Sequence, residues 1–348
     1  MISNKINLFP LWLITLLVCV ISIILIGGYT RISDSGLSIT EWEPISGILY
    51  PLTNSAWNQE FEKYKLIDEF KLINSAMTLH EFKVIYFWEW FHRAFARLIG
   101  VIYLIPLIFL IYYQKIEQKY SLNILTIGFL LLVQAVIGWY MVKSGLFNRV
   151  DVSQYRLALH LTTAFIILGV IFQTFLTYCF DNKLISNQSI FSKNLNKLLF
   201  IFFIFTFFQI SYGAFVSGTH SGLVYNTWPL YDGYLIPNFL NNSFFKISFL
   251  FENSNIIIFI HRSFAVLLFI LLIFLNYKTL VKRISNKYLS LIVFFNISFF
   301  IQAALGIAMT YLNIPWYLAL LHQGNSIAMF LLALTMYSFS TNSSLREK

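Results

Sequence analysis

The sequence predicts an all-α membrane protein with eight transmembrane helices arranged as two pseudo-symmetric four-helix bundles. Of its 348 residues, 58% are hydrophobic and 11% are charged, whereas a soluble domain carries roughly 25% charged residues. A bilayer crossing needs about 20 mostly apolar residues. The chain has such runs at 8–26, 89–112, 123–142, 155–180, 197–217, 255–277, 288–311 and 316–340. Because lipid offers the backbone no water to bond, runs this long are helices and not strands. The composition excludes a soluble enzyme, a disordered tail and a single-anchor protein.

The apolar runs divide the chain into two halves. The first run follows a seven-residue start with one lysine and lacks a small-residue cleavage site, so we expect a retained helix and not a removed signal peptide. We predict an N-terminal half over 1–180 that contains a long loop at 27–88, a cytoplasmic linker over 181–196, and a C-terminal half over 197–348. The second half has a long loop of its own at 218–254.

Charge predicts the orientation. The net charge is +9, and we interpret its distribution between loops as a topology signal. The sequence has no nucleic-acid motif, so we predict no nucleic-acid partner. Lysines and arginines concentrate on the side of the two termini and the linker: Lys5, Lys115, Lys119, Lys183, Lys193, Lys197, Lys278, Lys282, Arg283, Lys287, Arg346 and Lys348. Cytoplasmic loops carry an excess of these residues. We therefore expect both termini in the cytoplasm and both long loops outside.

An internal repeat relates the two halves. Four motifs recur in the same order: Ser35-Gly36-Leu37 with Trp42 as Ser221-Gly222-Leu223 with Trp228, His92-Arg93-x-Phe95-Ala96 as His261-Arg262-x-Phe264-Ala265, Gln134-Ala135-x-x-Gly138 as Gln302-Ala303-x-x-Gly306, and Leu157-Ala158-Leu159-His160 as Leu318-Ala319-Leu320-Leu321-His322 with one residue inserted. Each half has an even number of predicted helices. The two repeats therefore run parallel, unlike the inverted repeats of many transporters.

Histidines inside the predicted helices are the main chemical signal. Four of the six histidines are of this kind, and they are the repeated ones: His92, His160, His261 and His322. An ionisable side chain in the bilayer marks function by default, although a single histidine can simply bond to a neighbouring helix. Each of the four lies within about one or two turns of the outer end of its predicted helix, roughly 5 to 10 Å deep. Each half therefore offers two imidazoles at one level.

These imidazole pairs predict heme. Two neutral imidazoles without cysteine or carboxylate at matching positions suit heme iron better than zinc, which takes about four ligands. Cys19 and Cys179 both fall in apolar runs, so neither a disulfide framework nor a thiolate metal site is predicted. We predict one heme in each half.

Charged residues beside the histidines are further candidates. Arg93 and Arg262 directly follow a proposed ligand, where a guanidinium can pair with heme propionates or simply snorkel to the membrane surface. Glu89 lies one turn before His92, whereas the matching position in the second half is Ile258. A carboxylate at one heme site alone suggests chemistry there and electron transfer at the other site. The alternative is a helix-start acid that complements the helix dipole.

The other polar residues carry weaker signals. His80 and His220 lie in the long loops and do not match each other across the repeat, since His220 aligns with Asp34. Gln134 and Gln302 are repeated amides in apolar runs. We expect them to join helices, with a bond to a ligand histidine as the alternative.

Taken together, the motifs resemble the heme A synthase family, in its mitochondrial and alphaproteobacterial branch. The resemblance covers nearly the whole chain and rests on these residues: Gly27-Gly28-x-Thr30-Arg31, Trp42-x-Pro44, Glu81-Phe82-Lys83, Trp88-Glu89-x-x-His92-Arg93, Gly213-Ala214-x-Val216, Trp228-Pro229, His261-Arg262 and His322-Gln323-Gly324. Some relatives carry a cysteine pair in the first long loop. This chain has no cysteine between Cys19 and Cys179, so no thiol role is transferred.

The resemblance implies an activity and roles for the residues. The family oxidises the C8 methyl of heme O, through hydroxylated intermediates, to the formyl of heme A for terminal oxidases. It implies that His92 and His160 hold heme O as substrate, that His261 and His322 hold a permanent heme b, and that Glu89 is catalytic. The implied location is the bacterial inner membrane. The implied partners are a heme O synthase and terminal oxidase assembly factors, and a homo-oligomer stays open.

Three other functions use the same features. A diheme electron-transfer protein needs the same four histidines but not Glu89. A transporter with parallel repeats would use the histidines as a proton relay and would bind no heme. A heme chaperone for oxidase assembly would return heme O unchanged.

Overall fold

The protein is described from a computed structural model, which covers residues 7–42, 46–113, 116–146, 149–185, 193–237, 246–281 and 286–342. Within these ranges the chain order of helices is α1 (Leu8–Ile32), α2 (Asn54–Lys65), α3 (Asp68–Leu72), α4 (Leu79–Tyr113), α5 (Ser121–Lys143), α6 (Gln154–Asp181), α7 (Lys193–Gly218), α8 (Phe249–Glu252), α9 (Ser254–Val281), α10 (Asn286–Tyr311) and α11 (Trp316–Asn342). Eight of them, all but α2, α3 and α8, are long and apolar enough to cross a membrane. The predicted fold class, an all-α multi-pass membrane protein, is confirmed.

The chain separates into two compact units, Met1–Ile171 and Phe172–Lys348. The first contains α1 to α5 and most of α6, and the second contains the end of α6 and the remaining helices. The predicted division at 180 and 196 stays a prediction, because residues 186–192 of the proposed linker lie outside the described residues. Other residues quoted above that lie outside them are Lys5, Pro44, Lys115, Lys282, Arg283, Arg346 and Lys348.

Two helices extend furthest beyond their predicted ends. The α1 helix continues to Ile32, and α4 begins at Leu79, ten residues before the predicted start. A capping box starts α4: the Thr78 amide donates to the Glu81 carboxylate at 2.8 Å, and the Glu81 amide donates to the Thr78 hydroxyl at 3.3 Å. The first turn of α4 carries His80, Glu81 and Lys83, so it is not included in the predicted apolar run.

The longer α4 changes the position of one histidine along its helix. His92 lies about three and a half turns from the start of α4, not one or two turns as predicted. His160, His261 and His322 lie about two turns from the starts of α6, α9 and α11. The prediction was wrong for His92 because α4 begins outside the apolar run.

The first long loop folds against the start of α4. Trp57, Phe61 and Tyr64 of α2 are buried with Phe82 and Tyr86 of α4. The rings of Trp57 and Tyr86 pack edge to face, with centroids 5.1 Å apart. Burying side chains of this size contributes about 1.5–3 kcal/mol each. The loop is therefore a packed layer over one end of the first bundle.

Side-chain bonds to backbone carbonyls hold the helices of the first unit together. The Trp12 indole on α1 donates to the Ile102 carbonyl on α4 at 2.9 Å, and the Tyr103 hydroxyl on α4 donates to the Ile124 carbonyl on α5 at 2.8 Å. In the second unit, the amides of Asn276 on α9 and Asn296 on α10 bond to each other at 2.8 and 3.0 Å. Such bonds fix helix register where lipid provides no alternative partner.

Candidate functional site

The first unit brings His92 of α4 and His160 of α6 together. Their ring centroids lie 6.5 Å apart, with the ring planes inclined by 59°. When two imidazoles bind one metal ion, each bond is about 2 Å long and each ring centre lies about 1 Å further away. The observed separation is close to that arrangement. The predicted pair therefore has a geometry that fits one metal ion between the rings.

The second unit contains the matching pair, His261 on α9 and His322 on α11. The two rings are close enough for a charge on one to act on the other. In the part of the chain that the structure describes, no three histidine, cysteine, aspartate or glutamate side chains form a group that could hold a metal ion. A pair of imidazoles in each unit agrees with a metal that brings its own equatorial ligands, as heme iron does.

Each of the four histidines packs against a glycine of the preceding long helix. A Cβ added to Gly27 would lie 3.0 Å from the His92 Cε1, and one added to Gly138 would lie 3.0 Å from the His160 Cε1. The corresponding distances are 3.4 Å from Gly213 to His261 and 3.4 Å from Gly306 to His322. Glycine permits this close approach because it has no side chain. We name these four glycines the glycine seats.

Three of the four histidines have one ring nitrogen without a protein partner. Nδ1 is buried in His92, His160 and His322, and it has no hydrogen-bond partner among the described residues. Buried polar atoms are normally hydrogen-bonded, so these three nitrogens are available to a ligand that the protein does not supply. Together with the glycine seats, they fit the predicted heme ligands.

Amides approach a different histidine in each unit. Gln134 Nε2 lies 3.3 Å from His160 Nε2 and donates to the His160 carbonyl at 3.1 Å. Gln209 Nε2 lies 3.3 and 3.4 Å from the two ring nitrogens of His261 and donates to its carbonyl at 3.0 Å. Gln302, the repeat counterpart of Gln134, instead accepts a bond from Asn325 at 2.8 Å. Sequence reasoning missed Gln209, whose signal was an amide within an apolar run.

Glu89 is buried beside the first pair, with donors around both carboxylate oxygens. The Ser38 hydroxyl donates at 2.7 Å, the Ile39 amide at 2.9 Å and the Arg93 guanidinium at 2.5 Å. These donors offset the cost of burying a carboxylate. In the second unit, the buried Ile258 stands at the matching position.

The two arginines hold the long loops by backbone carbonyls. Arg93 donates to the carbonyls of Ile39 at 3.1 Å and Glu41 at 3.4 Å. Arg262 donates to the carbonyls of Tyr225 at 3.0 Å and Thr227 at 2.9 Å. These acceptors occupy the same positions after the repeated Ser-Gly-Leu motif. Arg93 and Arg262 therefore clamp equivalent loop segments, and their predicted contact with propionates stays a prediction.

The loop histidines have ordinary local surroundings. His220 has a φ of 52° and its counterpart Asp34 a φ of 46°, so both occupy the same left-handed turn position. Aspartate and histidine are among the residues that accept this conformation. His80 is exposed in the first turn of α4. Cys19 and Cys179 are buried and free.

The fold and the site define a class: multi-pass helical membrane proteins whose two repeats each bring together two histidines from separate helices. Comparison with known proteins gives the family. The chain belongs to the COX15-CtaA family, described as cytochrome oxidase assembly protein, whose model matches residues 10–334. The predicted membership is confirmed.

Similar curated proteins carry the name heme A synthase. One from Pelagibacter ubique is 41% identical over 329 residues, which cover 93% of this chain and 94% of the relative. One from Bartonella bacilliformis is 38% identical, with 93% and 92% covered, and one from Rickettsia bellii is 38% identical, with 95% and 98% covered.

Proposed function

We propose that this chain is a heme A synthase, an enzyme that oxidises the C8 methyl of heme O to the formyl of heme A through hydroxylated intermediates. The observation that carries the proposal is the position of Glu89, a buried carboxylate one turn from His92, with no counterpart beside His261. The full-length similarity to relatives named heme A synthase supports it.

In the proposed mechanism the first unit binds the substrate. His92 and His160 hold the iron of heme O, and the two glycine seats behind them fix the ring positions. The donors from Ser38, Ile39 and Arg93 leave Glu89 in one orientation, so its carboxylate can accept a proton at the reacting carbon. Oxidising a methyl to a formyl breaks two C–H bonds, forms one C=O bond and removes four electrons from that carbon. With water as the oxygen donor, four protons are released for each formyl group, and Glu89 is placed to accept them one at a time.

The second unit serves electron transfer. His261 and His322 are the residues that would hold heme b, and the fit rests on their glycine seats and the uncommitted Nδ1 of His322. When bound, heme b supplies a one-electron redox couple. Gln209 orients the His261 ring, and Arg262 clamps the loop above it. The apolar Ile258 leaves this site without a proton acceptor at the position of Glu89.

The proposal extends to location and partners. Both termini and the 181–196 linker would lie in the cytoplasm of a bacterium, with the enzyme in its inner membrane and the long loops outside. The N-terminal half, 1–180, would receive heme O from a heme O synthase, and assembly factors of a terminal oxidase would accept heme A. Arg93 and Arg262 would contact the propionates.

A second candidate is a diheme electron-transfer protein. The glycine seats favour this function, because every histidine of both pairs packs against a glycine in the same way. It gives no role to Glu89.

The test is to identify the hemes that the protein binds and releases. We would purify the full chain from cells that supply heme O, record its spectrum, and analyse the extracted hemes by chromatography and mass. We expect heme b together with heme O or its oxidised products. Heme b alone in both units would favour electron transfer, and heme O returned unchanged would favour a chaperone. Protein without heme would contradict the assignment of all four histidines.

A further inference from the structure

The first unit contains a second buried carboxyl group in addition to Glu89. Glu69 lies on the short helix α3 of the first long loop, and it is 5% exposed, against 4% for Glu89. The two groups differ in their partners. Glu89 has three donors, whereas Glu69 has the Tyr64 hydroxyl as a polar neighbour and no partner at Oε2 among the described residues.

The Tyr64 hydroxyl can act as a donor to Glu69. The Tyr64 hydroxyl accepts a bond from the Asn74 amide at 2.8 Å, so its own proton is available for the Glu69 carboxyl. Tyr64 is fully buried in the aromatic core of the loop. The position of Glu69 is therefore fixed by the fold of the loop, which leaves 5% of the residue exposed.

The charges that face Glu69 are negative. They belong to Glu89 on α4, Asp34 after α1 and Asp151 before α6. Arg31 pairs with Asp34 at 3.3 Å and with Asp151 at 2.8 Å, and Arg93 pairs with Glu89, so these cations are held by the other carboxylates.

A proton is the remaining way to neutralise Glu69. Among the described residues these carboxyl groups do not form a cluster that could hold a metal ion. Burial, followed by the charges of Glu89, Asp34 and Asp151, raises the pKa of the Glu69 carboxyl to about 8, although the Tyr64 hydroxyl opposes the rise. Glu69 therefore carries its proton at neutral pH.

We propose that Glu69 is a proton-exchanging residue that acts through Glu89, so that a proton accepted by Glu89 at the substrate releases the proton of Glu69 toward the loop surface. Repulsion between the two carboxyl groups is what couples them. When Glu89 gains a proton its negative charge is lost. The repulsion that favours the protonated form of Glu69 then becomes weaker. One proton enters the pair and one leaves, and Glu69 takes a proton back when Glu89 is emptied. This inference rests on the proposed function.

The test compares Glu69→Gln with Glu62→Gln, which removes an exposed carboxylate of the neighbouring helix α2. The rate of heme A formation would be measured on both sides of pH 8. The wild-type rate should fall as pH rises through about 8, because ionised Glu69 has no proton to release. Glu69→Gln should be about 10²-fold slower on the acid side, the low end for a proton-transfer group, and its rate should be flat through that pH. Glu62→Gln should follow the wild type.

A second measurement keeps this test separate from the proposed function. The infrared band of an uncharged carboxylic acid should be present in the purified wild-type protein below pH 8, should titrate away above it, and should be missing in Glu69→Gln. If the wild type forms no heme A, the proposed function fails and the band still decides the state of Glu69. The proposal is overturned if the wild type lacks this band, or if Glu69→Gln keeps the wild-type rate and pH profile. Should the variant fail to fold, the titration of the wild-type band decides.

Discussion

The first and second halves share a histidine scaffold and differ in the polar groups added to it. Both have two glycine seats, and both use an arginine after the first histidine to clamp the loop at equivalent carbonyls. In the first half the fold adds Glu89 and its donor Ser38, where the second half has Ile258 and Val224. The scaffold of histidines, glycines and arginines is therefore independent of the carboxylate.

The second half also shows that the fold does not require a carboxylate at this position. A buried ion pair such as Arg93 with Glu89 is costly to desolvate, and an apolar replacement is often as stable. Ile258 is such a replacement, buried at the matching place. Because stability gives no reason to keep Glu89, the structure favours a chemical role for it.

The largest expected effect comes from removing that charge. Glu89→Gln keeps the size of the side chain and should lower the rate of heme A formation by about 10²–10⁴-fold, the usual contribution of a proton-transfer group. Both hemes should remain bound, because the histidines and glycine seats are unchanged. Product analysis with extracted heme content checks both points. An unchanged rate would make the two halves functionally alike and would support the electron-transfer alternative.

The next effect separates the glycine seats of the two halves. Alanine at Gly27 or Gly138 would place its Cβ 3.0 Å from a histidine ring, and overpacking of this kind costs about 1–3 kcal/mol. At Gly213 or Gly306 the distance is 3.4 Å, an ordinary contact, and alanine gains up to about 1 kcal/mol of helix propensity.

We therefore expect Gly27→Ala and Gly138→Ala to weaken heme binding in the first half, while Gly213→Ala and Gly306→Ala leave heme b in place. Extracted heme content and the unfolding temperature of each purified variant provide the measurement. The four variants serve as controls for one another, since each makes the same change in a long helix. Equal losses in both halves would contradict the distinction drawn from the distances.

The arginine clamps should give an intermediate effect. Lysine in place of Arg93 or Arg262 keeps the charge but lacks the planar fork that reaches two carbonyls. Losing such charged hydrogen bonds costs about 1.5–3 kcal/mol. Arg93→Lys should raise hydrogen exchange at 39–41 and slow the reaction through Glu89, whereas Arg262→Lys should raise exchange at 225–227 alone. Exchange that rises in neither loop would show that the clamps do not hold them.

Sequence reasoning reached the helices and the histidine pairs because both depend on residue type in an apolar run. It missed the start of α4, where His80, Glu81 and Lys83 make the first turn after Thr78 polar. It also missed the clamps of Arg93 and Arg262, because every residue has a backbone carbonyl and residue type does not show which one accepts a bond. Glu69 looked like one of many loop acids, and its burial became visible once α2 and α3 were packed against α4.

The smallest expected effect tests the amides that approach one histidine in each half. Gln209→Leu removes a neutral hydrogen bond at His261, worth about 0.5–1.5 kcal/mol, and should change the reduction potential of the second-half heme while the first-half heme keeps its own. Gln134→Leu, the matched change at His160, should do the reverse. Redox titration of the two hemes in each variant provides the measurement. The Gln302 side chain bonds to Asn325, so Gln302→Leu should leave the reduction potentials of both hemes nearly unchanged. A shift as large as that of Gln209→Leu would mean that the position in the repeat, and not the direct contact, determines which amide affects the heme potential.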